Sequence, residues 1–173
     1  FGAFIPENIA LPEGATRLNT PKTVGRELKL SARKRNLLRQ MELLIIDEVS
    51  MLRADLLDCM DMVLRSVRRR REPFGGVQLL FIGDLMQLPP VVKREEWAYL
   101  KPYYPSSYFF DARALRESPL LTIELKKIYR QSDQDFIDLL NRLRHNQQTP
   151  ADLVYLNEHH YQPDLSKQQG YIH

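Results

Sequence analysis

A single cysteine, Cys59, in 173 residues excludes an intramolecular disulfide and any cysteine-based zinc cluster, and it suits a reducing compartment. No stretch approaches the roughly 18 apolar residues of a membrane-spanning helix. No secretory leader is visible, although a missing N-terminal segment would hide one. No Gly-x-x-x-x-Gly-Lys-Ser/Thr occurs: Gly25 is followed by Arg26, and Gly75-Gly76 by Val77. Such a loop supplies the backbone N–H cradle and the lysine that hold nucleotide phosphates, so the chain carries no self-contained site of that type. The one pair of adjacent histidines, His159-His160, reads as a surface pair rather than metal ligands, because neighbouring side chains diverge on a helix and no carboxylates cluster around them. Internal repeats and low-complexity tracts are absent too.

What is present is ordinary for a globular protein: 43% apolar and 27% charged residues. The length allows one modest domain, or one domain and part of a second. A net charge of +3 and a pI near 9.0 permit nucleic-acid binding without requiring it.

Two segments carry the chemistry. Residues 43–51, Leu-Leu-Ile-Ile-Asp-Glu-Val-Ser-Met, place Asp47 and Glu48 at the end of an aliphatic run. Such a run suits a parallel strand buried on both faces, and in open α/β sheets ligands bind beyond the carboxyl ends of such strands. There Asp47 can help hold magnesium, a hard cation that prefers oxygen, and Glu48 can accept a proton from an attacking water. The bland alternative is a helix N-cap with a solvated neighbour. A second apolar run ends in Gly83-Asp84-Leu85-Met86-Gln87-Leu88-Pro89-Pro90-Val91. Gly83 allows a tight turn at the strand end, Gln87 offers an amide for a phosphate oxygen or a water, and Pro89-Pro90 stiffen the loop. Its bland alternative is a polar loop closed by prolines.

A third segment, Ile128-Tyr129-Arg130-Gln131-Ser132-Asp133, precedes an amphipathic helix. Together the three resemble the PIF-type (petite integration frequency) DNA helicases, the 5′-to-3′ branch of helicase superfamily 1 that also includes RecD-like enzymes. The resemblance runs over most of residues 26–157. It implies that Asp47-Glu48 is the Walker B motif, that 83–91 is helicase motif III, and that Tyr129-Arg130-Gln131 is motif IV. Arg130 then matches a γ-phosphate-sensing arginine; on spacing alone it is a surface arginine pairing with Asp133 or Asp135. In that family the phosphate loop precedes the segment that begins here at Phe1, and the last motifs follow His173. The chain is therefore expected to be the middle section of a longer protein.

The resemblance implies ATP as substrate, Mg2+ as cofactor, and single-stranded and forked DNA as partners, in genome maintenance. It places the protein in the bacterial cytoplasm with the nucleoid, or in the nucleus or mitochondrion of a eukaryote. The alternative is an interaction or regulatory module with a relict nucleotide cleft. A two-metal nuclease would need more clustered carboxylates than are placed here.

The expected fold class is α/β, a partial RecA-like P-loop NTPase fold with a parallel sheet and flanking helices. Residues 1–25, with prolines at 6, 12 and 21 and glycines at 2, 14 and 25, read as a loop-rich or short-stranded insertion rather than core. By resemblance this is the strand-separating subdomain, where Phe1, Phe4 and Ile5 could stack on a base or tuck under their own loop. Residues 26–120 alternate as helix after Ser31, strand 43–47, helix 53–70, strand 77–83, helix near 95–100, strand 108–110 and helix from Asp111. Apolar residues Leu56, Leu57, Met60, Val63, Leu64 and Val67 of the long helix follow a 3.6-residue period. The arginines at 68–71 complement its dipole or contact phosphate. Residues 121–173 begin a second RecA-like domain: strand 121–125, a capping box from Ser132, a helix burying Phe136, Ile137, Leu140 and Leu143, and another helix opened by Thr149-Pro150. A sheet edge left uncovered by the missing segment should promote self-association.

Overall fold

The computed structural model describes residues 2–11, 18–117, 119–127, 129 and 133–159. The chain divides into two units, Phe1–Thr122 and Ile123–His173.

The first unit starts with strands β1 (Ala3–Phe4) and β2 (Leu18–Asn19), which pair in parallel. Helices α1 (Pro21–Glu27) and α2 (Ala32–Gln40) follow, capped by the hydroxyls of Thr20 and Ser31. Strand β3 (Leu43–Ile46), helix α3 (Ala54–Arg68), strand β4 (Gln78–Phe81) and helix α4 (Arg94–Leu100) complete the main elements. Strands β3 and β4 are parallel, with Leu43 opposite Gln78 and Ile46 opposite Phe81. They are joined through α3, the parallel crossover that the alternation of apolar runs predicted.

The core lies between this sheet and α3. Leu57 and Leu64 are buried against Phe74 and Val77, with Leu44, Ile46, Leu79 and Phe81 packed on the same side. The opposite face corrects one expectation. Leu43, Ile45, Leu80 and Ile82 are 46%, 54%, 45% and 46% exposed, so this chain covers only one face of strands aliphatic enough for burial on both.

Residues 1–25 form short strands, as expected, but depart from the expectation that they lie outside the core. Ala3, Phe4, Ile5 and Leu18 are buried, and Ala3, Ile5 and Leu18 belong to the main core. Phe4 and Ile5 therefore offer no ring or side chain for a base to stack on; Phe1 lies outside the described residues. The segment is tied down by Asp55 on α3, whose carboxylate accepts from the Phe4 N–H at 2.8 Å.

Asp55 is one of three buried aspartates spaced three apart on α3, where the apolar period alone gave no sign of them. Asp58 accepts from the Tyr104 hydroxyl at 2.8 Å and from the N–H groups of Arg113 and Ala114 at 3.2 and 2.9 Å. Asp61 accepts from the Phe74 N–H and pairs with Arg65. Each carboxylate thus anchors a different segment outside the α-helices to one helix, satisfying N–H groups that have no ladder. Burial raises the Asp58 carboxyl above its usual range, partly offset by its three donors. Replacing Asp58 by Ala strands those donors and should cost about 2–4 kcal/mol, from roughly 1–3 kcal/mol per buried unpaired group. Urea unfolding would show it as a lower midpoint, and an unchanged midpoint would refute the anchoring role.

The long helix stops two residues before the expected Arg70, because Arg69 turns left-handed at φ 55°. Beyond it Phe74, Gly75 and Gly76 all have positive φ. Gly75 is required twice over: a Cβ there would lie 2.9 Å from the Leu64 carbonyl oxygen. The expected strand 108–110 is reduced to one bridge between Arg53 and Tyr108, followed by a single-turn helix, Phe109–Asp111, that buries Phe109 against Phe81. The helix expected from Asp111 is a short 3-10 segment, Arg113–Glu117.

The expected strand 121–125, which straddles the boundary of the two units, is absent, and within it Ile123 and Leu125 are 76% and 91% exposed. A strand persists only when paired, and this segment has no partner among the described residues. Helix α5 (Gln134–Arg144) is capped by Asp133, which accepts from the Phe136 N–H, rather than by Ser132, which lies outside the described residues. Its deepest residue is Leu139; Phe136, Ile137 and Leu143 are half-buried and Leu140 is exposed, a correction of the expected face. Helix α6 (Pro150–His159) follows a capping box made by Thr149 and Asp152. A two-pronged Arg142–Asp152 pair, at 3.0 and 2.7 Å, locks α5 to α6 and holds the Asp152 carboxyl well below the usual range. No described helix is long and apolar enough to cross a membrane.

Candidate nucleotide-hydrolysis site

The register of β3 and β4 brings the first two sequence-predicted segments together at one edge. Both strands run the same way, so Asp47-Glu48 and the loop from Gly83 leave their carboxyl ends side by side. The main chains interlock there: Ile82 N–H donates to the Ile46 carbonyl at 2.9 Å, and Val49 N–H to the Ile82 carbonyl at 3.0 Å. Gly83 is needed for close approach rather than for a turn with positive φ. A Cβ at Gly83 would lie 2.9 Å from the Val49 nitrogen, so any side chain would push the two loops apart.

Asp47 and Glu48 are exposed. One Asp47 oxygen accepts from the Glu48 N–H at 2.8 Å. Glu48 opens a single-turn helix, Val49–Met51, without a side-chain cap, and it does so in the left-handed region at φ 50°. The N-cap alternative for this pair therefore has no hydrogen bond to support it. Left-handed backbone costs a side-chain-bearing residue about 1–2 kcal/mol, and here it turns the chain so that Val49 can reach Ile82.

In the second loop, Asp84 accepts from the Met86 N–H at 3.0 Å and from the Gln87 side-chain amide at 3.3 Å, and the Gln87 N–H closes a turn on the Asp84 carbonyl. Asp84 is the residue that sequence reasoning passed over: it shapes the loop that presents Gln87. Arg130 and Gln131 lie outside the described residues. Beside them, the Lys127 ammonium sits 4.8 Å from the centre of the exposed Tyr129 ring.

Ser50, two positions after Glu48, is 1% exposed, and its hydroxyl has no protein partner among the described residues. A buried unpaired hydroxyl costs on the order of 1–3 kcal/mol. Ser50→Ala should therefore raise the stability of this chain by about 1 kcal/mol in urea unfolding; a loss of stability would mean that the hydroxyl is satisfied. Cys59 takes no part: burial, with Asp55 and Asp58 nearby, pushes its thiol up to about 11 and leaves it unreactive.

Magnesium keeps several waters and takes one or two carboxylates together with substrate phosphates. Asp47, exposed at a strand end with one oxygen engaged, suits that role. A cage of several protein ligands does not arise, since the described residues contain no group of three potential metal ligands.

Adjacent parallel strands joined through a helix, with a carboxylate pair and a polar loop at their carboxyl ends, define part of a RecA-like α/β unit of the kind used by nucleotide hydrolases. A family model described as PIF1-like helicase matches residues 16–152. The chain belongs to that family.

Relatives agree with the match. The ATP-dependent DNA helicase PIF1 of Saccharomyces cerevisiae is 45% identical over 116 residues, 65% of this chain and 13% of that protein. The ATP-dependent DNA helicase RRM3 of the same species is 37% identical over 131 residues, 74% of this chain and 17% of that protein. The Pif1 helicase from Bacteroides, solved with ADP-AlF3 and single-stranded DNA, superposes with a TM-score of 0.81 at 38% identity, covering 98% of this chain and 36% of that one. The chain thus spans well under half the length of the proteins it matches.

Proposed function

We propose that this chain is the central section of an ATP-dependent DNA helicase that moves 5′ to 3′ along single-stranded DNA and separates duplex ahead of it. The observation that carries this reading is the interlocked pair of loops at the ends of β3 and β4. A change in the loop holding Gln87 must be felt by the turn holding Glu48, because Gly83 leaves no slack between them. Support comes from the relatives PIF1 and RRM3, both ATP-dependent DNA helicases.

In this reading Asp47 holds magnesium, which when bound neutralises phosphate charge. Glu48 takes the proton of the attacking water, Gln87 contacts the γ-phosphate and passes its state to the DNA, and Arg130 stabilises the charge that develops on the phosphoryl group. Residues 26–120 belong to the first RecA-like domain, and 121–173 begin the second.

With no phosphate loop, residues 1–173 alone should show negligible ATPase activity, while the whole protein hydrolyses ATP in a DNA-stimulated way. DNA-stimulated phosphate release by the purified chain would overturn this. The apolar sheet face formed by the half-exposed Leu43, Ile45, Leu80 and Ile82 should make the same sample self-associate. Light scattering that gives a monomer at high concentration would count against that part.

A further inference from the structure

Positive charge is concentrated in two segments that carry none of Asp47, Glu48, Gln87 or Arg130. Residues 29–42 and 65–72 together have a net charge of +8, against +3 for the whole chain. The two are neighbours in space: the Arg39 side chain donates to the Val67 carbonyl at 3.2 Å, and the Arg68 guanidinium donates to the carbonyls of Leu38, Arg39 and Met41 at 3.0, 2.8 and 2.7 Å.

Some of these cations have structural work. Arg68 caps the open carbonyls at the end of α2, Arg65 pairs with Asp61, and Arg39 joins the two helix ends. Arg33, Lys34, Arg35, Arg69 and Arg71 are exposed, and none forms an ion pair among the described residues. Arg69 and Arg71 follow a helix C-terminus, where cations complement the dipole and need no ligand.

That explanation fails for the other three. Arg33, Lys34 and Arg35 fill the first turn of α2, which has no acidic residue, and α2 buries none of its residues. Cations at a helix N-terminus oppose its dipole. Packing does not hold them there, so the fold is less stable for having them.

We propose that the outer surface of α2 and the turn after α3 binds the phosphate backbone of duplex nucleic acid. Two features favour a duplex over a single strand. Neither segment contains an aromatic residue on which an unpaired base could stack, as single-strand sites have. The exposed cations lie at the first turn of α2 and just past the end of α3, outside the pocket beside Arg65, and they suit sequence-independent contacts that position the protein. The inference rests on the helicase reading only for the source of the duplex, which would be the unopened DNA next to the fork.

The test uses the 173-residue chain and a blunt 20-base-pair duplex, with affinity followed by fluorescence anisotropy over a range of salt. Removing a cation that neutralises one phosphate lowers the slope of log K against log salt by about 0.9. The combined Arg33→Gln, Lys34→Gln, Arg35→Gln variant should lower the slope by about two to three, and Arg69→Gln with Arg71→Gln by about one to two. Thermal unfolding of the triple variant should occur no lower than that of the wild type, because the substitutions remove charges that oppose the helix dipole. Lys126→Gln with Lys127→Gln, in the other unit, should leave the slope nearly unchanged. The proposal is overturned if the chain binds no duplex even at low salt, or if the slopes of the two patch variants match the wild type. Unchanged duplex affinity with abolished binding to polyglutamate would also overturn it, reassigning the surface to an acidic protein. Loss of ATPase activity on changing Glu48 in the whole protein reports on the helicase reading alone, so the two can fail separately.

Discussion

In the whole protein, Glu48→Gln is expected to leave ATP and DNA binding in place while turnover falls by ~10²–10⁴, the range for loss of general-base catalysis. The substitution preserves shape. In the proposed roles it removes the proton acceptor but leaves the Asp47 carboxylate for magnesium, and the turn is unaffected because the Glu48 side chain makes no cap in the Val49–Met51 helix. The interlock of Val49 with Ile82 runs through main-chain atoms and should survive. A structural role for Glu48 would instead appear as lost stability with turnover spared. The measurements are single-turnover phosphate release and fluorescent-nucleotide affinity on the same sample. A variant that binds ATP normally and hydrolyses it at the parental rate would remove Glu48 from the chemistry.

The sequence made the strands and their ends legible for a simple reason. Four aliphatic residues in a row before Asp47, and a matching run before Gly83, have few alternatives to a parallel pair joined through a helix. The periodic face of α3 was equally readable at Leu57 and Leu64. What could not be read is how irregular segments are fastened. Asp55, Asp58 and Asp61 sit among apolar neighbours on α3, and a charged residue ordinarily signals a solvated face. Their burial follows from donors that arrive from Phe4, Tyr104, Ala114 and Phe74, all distant in the chain. For the same reason residues 1–25 looked like a loose insertion although Ala3 and Ile5 complete the core. The reverse error arose at 121–125, where alternating apolar residues suggested a strand. Pairing, not pattern, makes a strand, and the described residues offer that segment no neighbour.

The second large effect is expected at Arg130. If it stabilises the charge that builds on the transferred phosphoryl group, Arg130→Ala in the whole protein should lower turnover on the order of 10³ or more, with a smaller change in ATP affinity. Arg130→Lys separates charge from geometry: an ammonium restores the charge but cannot make the two-pronged contact of a guanidinium, so it should recover only part of the rate. The competing reading is a surface ion pair with Asp133 or Asp135. Asp133 is already engaged, since its carboxylate caps α5 by accepting from the Phe136 N–H, and Asp135 is exposed in the first turn of that helix. An exposed pair of that kind contributes about 0–1 kcal/mol to stability and nothing to turnover. Lys127→Ala, three residues away and likewise cationic, serves as the control and should change the rate little. Equal rates for Arg130→Ala and Lys127→Ala, both close to the parental value, would return Arg130 to the surface and remove it from the chemistry.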